Sequence, residues 1–128
     1  MAIKYYRDFE VELKVMEIAK ALGMDHVKMD RVLCFRSYGT GSKRVIARCH
    51  ALPKIWQQAL KNEAHYLIEV ISEQYDKQST EEREKTLIHE LLHIPKAFGG
   101  GFRHHDYVCN RNVEKFHQEY SKQRNNNA

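Results

Sequence analysis

Apolar positions recur every three or four residues early in the chain: Val11, Val15, Ile18 and Leu22 form one stripe between Arg7 and Leu22, and Gly23 supplies a stop. The spacing predicts a helix. Over Arg31–Tyr38 and Lys43–His50 the pattern shortens to two strand-like runs, and Gly39-Thr40-Gly41-Ser42 between them predicts a hairpin turn. Leu52–Leu60 reads as a short helix that buries Trp56 on one side. His65–Glu73 reads as a third strand, with Tyr66, Ile68 and Val70 alternating with Leu67, Glu69 and Ile71. Ser79-Thr80-Glu81-Glu82 carries the groups of a capping box and opens a helix over Arg83–Ile94, which presents Leu87, Ile88, Leu91 and Leu92 to a core and which Pro95 ends. After the glycines at 99–101 a final helix is expected from His105 to Gln123, with Cys109, Val113, Phe116 and Tyr120 inward. These elements predict an α+β domain in which a three-stranded sheet is packed with helices.

A chain of 128 residues can bury the core of one domain but has no room for a separate substrate domain. Residues 1–121 are assigned to that domain, and the polar stretch 122–128 is expected to fray. The first residues hold no long apolar run and no segment reaches membrane-spanning length, so no membrane partner and a cytoplasmic location are expected. Cys34, Cys49 and Cys109 are an odd set without a CxxC pair, unlike a secreted disulfide framework, and reduced thiols are the simplest reading. In the hairpin Cys34 and Cys49 would be diagonal neighbours on one face. They read as packing residues, with a Cys34/Cys49/His50 metal site and a disulfide as the alternatives.

The net charge of +4 is concentrated where Arg31, Arg36, Lys43, Arg44, Arg48 and Lys54 surround the expected hairpin. Arg36, Lys43, Arg44 and Arg48 are therefore candidate contacts to nucleic-acid phosphates. Ordinary solvation and protection of strand edges account for the same charges, and no aromatic-rich RNA motif or zinc finger accompanies them.

The most specific chemistry lies in the capped helix, where His89-Glu90-Leu91-Leu92-His93 spells HExxH. Two histidines four apart stand one turn above the other, so both imidazoles can reach one zinc ion at about 2.0–2.1 Å. Glu90 then stands beside the metal-bound water, able to accept its proton and pass it to a leaving amine. A catalytic zinc has three protein ligands and one open position. His105 is preferred as the third because it falls on the inward stripe of the final helix, with His104 as the alternative and Glu114 as a weaker candidate. Asp106 is a candidate partner for the second ring nitrogen of a ligating imidazole. His104, Tyr107 and Arg103 compete as oxyanion donors.

The run from His89-Glu-Leu-Leu-His-Ile-Pro through Gly99-Gly-Gly-Phe-Arg-His-His105, with Tyr66–Glu73 and Cys34–Trp56 upstream, resembles the metallopeptidases of archaea and phages. That group is similar to the minimal SprT-like zincins. The resemblance implies a small zincin-like fold, one zinc ion held by His89, His93 and His105, Glu90 as general base, and a protein or peptide substrate. In zincins a strand ahead of the zinc helix commonly runs as an edge above the cleft, and on that basis a peptide would add to the His65–Glu73 strand; an interior strand with no substrate role is the other reading. Position 99 is Gly where the metzincin pattern needs a histidine, and the glutamate motif of larger gluzincins has no clear match. SprT-like relatives also include proteases of DNA-bound proteins. The rival readings are a non-enzymatic nucleic-acid-binding module with a structural zinc, and a zinc hydrolase of a non-peptide amide.

Overall fold

A computed structural model describes residues 2–126. In chain order the elements are β1 (Lys4–Arg7), α1 (Phe9–Ala21), a 3-10 turn at Met29–Arg31, β2 (Val32–Tyr38), β3 (Ala47–Ala51), α2 (Lys54–Leu60), β4 (Tyr66–Ile71), α3 (Ser72–Tyr75), α4 (Thr80–Leu92) and α5 (Asn110–Asn126). The sheet has four strands rather than three, in the order β1-β2-β4-β3. The strand not anticipated is β1, whose Lys-Tyr-Tyr-Arg is exposed at every position and so carries no burial alternation to read.

The expected hairpin does not form. β4 lies between β2 and β3, parallel to the first and antiparallel to the second. The segment 39–46 therefore spans the width of a strand instead of making a tight turn. Burial explains the choice: β4 is buried almost throughout on both faces, as suits an interior strand, whereas β3 reads Ala-Arg-Cys-His-Ala and alternates between half-buried and exposed. Cys34 and Cys49 both stand opposite Ile68, one on each side of it. With a strand between them their backbones are about 9.6 Å apart, too far for a disulfide. All three cysteines are free, and burial pushes the Cys34 and Cys49 thiols up, which keeps them protonated.

Helices α1 and α4 cover one face of the sheet, and α5 packs across both. Val15 and Ile18 from α1 meet Leu87, Ile88 and Leu91 from α4 over Val32, Cys34, Tyr66, Ile68 and Val70 of the strands, all fully or almost fully buried. Asp8 caps α1 by accepting from Val11 N at 2.9 Å, and Ser79 with Glu82 forms the expected capping box on α4. Trp56, expected inside, is 55% exposed, because α2 lies on the surface and only Gln57 of its seven residues turns inward.

The last helix starts at Asn110 instead of His105. Tyr107 N and Val108 N both reach His104 O, at 3.1 and 2.9 Å, Asp106 Oδ1 accepts from Tyr107 N, and Asn112 Nδ2 donates to Tyr107 O. These short polar side chains hold a turn that competes with the helix. The stretch from Lys122, expected to fray, continues α5 to Asn126, and residues 127–128 lie outside the described part. Among the described residues no helix is long and apolar enough to cross a membrane.

Candidate metal centre

α4 carries His89, His93 caps its C-terminus one turn later beside the free edge of β3, and the turn after the glycine loop brings His105 against both. One nitrogen from each of the three lies within 4.8 Å of the others, close enough for side-chain rotation to bring all three to one cation. Among the described residues no such grouping includes Cys34, Cys49 or His50. His105 thus meets the pair from a turn rather than from the helical stripe on which the spacing had placed it.

The protonation states suit metal binding. Burial, with His93 and His105 adding smaller contributions, lowers His89 to about 4, and burial likewise lowers His93. Both rings are neutral near pH 7, which leaves lone pairs for a cation. His93 Nδ1 lies 2.7 Å from Arg103 O, and since a carbonyl only accepts, Nδ1 carries the proton and Nε2 is free. The amide of Arg103 returns a 2.8 Å bond to His93 O. This backbone brace takes the place expected of Asp106, which is occupied with Tyr107 N. Glu90, 5% exposed, is pushed up to about 7 by burial.

The site opens into a groove between α4 and β3. Two cavities, about 470 and 570 Å³, meet at Val45, Ala47, His89 and Glu90 and run to either side. Phe102, Arg103 and His104 line the larger; Lys85 and Glu114 line the smaller and pair with each other at 2.7 Å, and Glu114 is not part of the histidine cluster. Tyr107 is turned away into a separate cavity of about 250 Å³, under the Arg103 guanidinium.

The strand bordering the groove is β3; β4, expected as that edge, is interior. Ile71 N bonds to Ile46 O and Leu52 N to His65 O, so even-numbered residues of β3 face β4 and the amides and carbonyls of Ala47, Cys49 and Ala51 point to the open side. On the sheet face away from the helices, the buried Glu69 accepts from Ser37 Oγ at 2.6 Å and from His50 Nε2 at 2.8 Å. His50 also lines the groove.

The four basic residues proposed for nucleic acid do not share a surface. Arg36 is on the helix-covered side, bonded to Asp8, Ser72 and Asp76, while Arg48 is on the other face, 3.9 Å from Glu69. Lys43 and Arg44 are exposed on the 39–46 segment, with Arg44 at the mouth of the smaller cavity.

No curated protein and no solved structure matches the chain. A family model described as putative phage metallopeptidase covers residues 3–125, a span that includes the three histidines, Glu90 and every element above from β1 into α5. A peptidase dependent on a metal is what a histidine cluster in an open groove is suited to be, and with the match extending over nearly its whole length the chain belongs to the putative phage metallopeptidase family.

Proposed function

We propose that the protein is a zinc-dependent peptidase of the HExxH zincin type, related to the SprT-like proteins, in which His89, His93 and His105 hold one zinc ion and Glu90 is the general base. The convergence of three imidazoles beside one buried carboxylate carries the reading. Three imidazole nitrogens suit zinc and leave its fourth position open, and when bound it would acidify a water and polarise a carbonyl oxygen. Glu90 takes the proton from that water and delivers it to the departing amine. Burial raises this carboxyl to about 7 in the metal-free site, and its place beside the histidines is what a group that accepts and then donates a proton needs.

Ala47, Cys49 and Ala51 offer the substrate a row of backbone donors and acceptors, so an extended chain adds to the sheet and crosses the site. Recognition by repeated backbone groups favours a peptide over a non-peptide amide, and a groove open on both sides of Glu90 favours cleavage inside a chain over trimming of an end. Of the three candidate oxyanion donors, His104 lines the groove and is the one placed to receive charge on the carbonyl oxygen, while the Arg103 guanidinium stacks on Tyr107.

The test is Glu90→Gln, measured for zinc content and for cleavage of an unfolded protein. Zinc should stay near one ion per chain while cleavage falls by about 10²–10⁴-fold. A wild type that takes up no zinc after supplementation, or a Glu90→Gln protein that cleaves at the full zinc-dependent rate, would overturn the mechanism.

A further inference from the structure

His105 belongs to no helix or strand, its side chain is exposed, and it follows Leu92, the end of α4, through a segment containing three consecutive glycines. Such a segment has no side chains of its own at its middle and loses much conformational freedom when ordered. Something outside it must set where it runs.

Its two ends are already joined by the pair of bonds between His93 and Arg103. Its middle is held by two side chains from elsewhere. The Tyr66 hydroxyl accepts from Gly100 N at 3.0 Å and donates to Gly101 O at 2.7 Å. Gln57 Nε2 donates to Gly99 O at 3.0 Å and to Leu52 O at 2.8 Å. Tyr66 stands on the interior strand, 1% exposed, with its ring 4.8 Å from Phe98 and 6.2 Å from Phe102, so both side chains flanking the glycines close over the same residue. The fit leaves no spare room: a Cβ on Gly100, whose φ is +107°, would sit 2.7 Å from Gln57 Nε2 and 2.8 Å from Leu52 O. We infer that Tyr66 and Gln57 are positioning residues for the metal centre, strapping the glycine turn to the sheet and to α2 so that His105 meets His89 and His93. The inference rests on the ligand set proposed above.

The experiment measures zinc affinity by competition with a chromophoric chelator, and the visible spectrum of the cobalt-substituted full-length protein. Tyr66→Phe removes one oxygen and leaves the ring in place; zinc binding should weaken by about 10–100-fold, the range for groups that orient metal ligands. The cobalt spectrum should shift toward that of His105→Ala. Gln57→Ala and Gly100→Ala reach the same strap from its other side and should act in the same direction. Tyr120→Phe is the control: Tyr120 is 1% exposed and its hydroxyl also has two partners, Lys14 and Glu17, remote from the turn. It should lower thermal stability and leave zinc affinity unchanged. Wild-type affinity in Tyr66→Phe, or an equal loss in Tyr120→Phe, would sink the strap alone, whereas a wild type that binds no zinc, or whose affinity survives His105→Ala, would remove the ligand set and the strap with it.

Discussion

His104 and His105 are adjacent and both line the groove, yet only His105 brings a nitrogen within 4.8 Å of His89 and His93. The difference is set by one turn. Both Tyr107 N and Val108 N bond to His104 O, which pins the backbone of His104 and directs the next side chain toward α4. The expected ranking in a chelator competition follows from the geometry: His89→Ala and His93→Ala abolish zinc retention, His105→Ala weakens it severely, and His104→Ala leaves it within a few fold of wild type. The reverse order for the last two would transfer the ligand role to His104. HExxH was legible because i and i+4 on a helix share a face whatever the surroundings. The helical spacing that singled out His105 belongs to a helix that begins only at Asn110, so its nearness to the pair comes from tertiary contacts that no periodicity encodes.

At the scale of elements, the two strands around the Gly39–Ser42 turn carried a local hairpin signal, and it lost to a stronger non-local one. A strand buried on both faces has little access to water for its backbone groups, and β4 satisfies them by pairing with β2 on one edge and β3 on the other. The contrast between β4 and the alternating β3 was present in the sequence. Which of them borders the groove follows only from that insertion, and with it the edge proposed for the substrate moves from β4 to β3. Parity along β3 gives a sharp test. The amide of Ala47 points away from β4, whereas that of Arg48 faces Glu69 across the ladder. Proline is tolerated at an edge where its missing donor faces outward, and breaks the sheet where it faces inward. Ala47→Pro should therefore fold, keep its zinc and lose about 10-fold or more in kcat/KM on an extended substrate, a loss of one or more backbone bonds to the peptide. Arg48→Pro should lower thermal stability instead. Full activity in a folded Ala47→Pro protein would mean that substrate does not pair with β3.

Across the whole molecule, the helices packed around the candidate metal centre meet at one buried charge. Glu84, 2% exposed on α4, is bonded to His117 at 3.0 Å and Arg124 at 2.6 Å from α5 and lies 3.1 Å from Lys14 Nζ on α1. This explains why the inward stripe of α5 is Val113, His117 and Tyr120, with Phe116 only half-buried: the helix turns a histidine to the core to meet a carboxylate. Burial opposes the charge on Glu84, but the bonds from His117 and Lys14 and the charges of Lys14 and Arg124 outweigh it, and the carboxyl lies below its ordinary value of 4.5. A carboxyl depressed on folding stabilises fully above its unfolded value, and that stabilisation disappears as pH falls through the folded one. Lys14 and Arg124 remain partly in water, at 30% and 44% exposure, so the network is worth about 2 kcal/mol rather than the larger cost of stranding a fully buried charge. Glu84→Gln should accordingly lower the melting temperature of zinc-free protein by about 5–10 °C at neutral pH. The zinc-free form is the one to measure, because bound metal would add its own stabilisation. The gap between the two proteins should close as pH falls below about 5, as wild-type Glu84 is protonated and comes to resemble the amide. A gap of the same size in strong acid would show that the three helices are joined at Glu84 by shape and neutral hydrogen bonds, with no contribution from its charge.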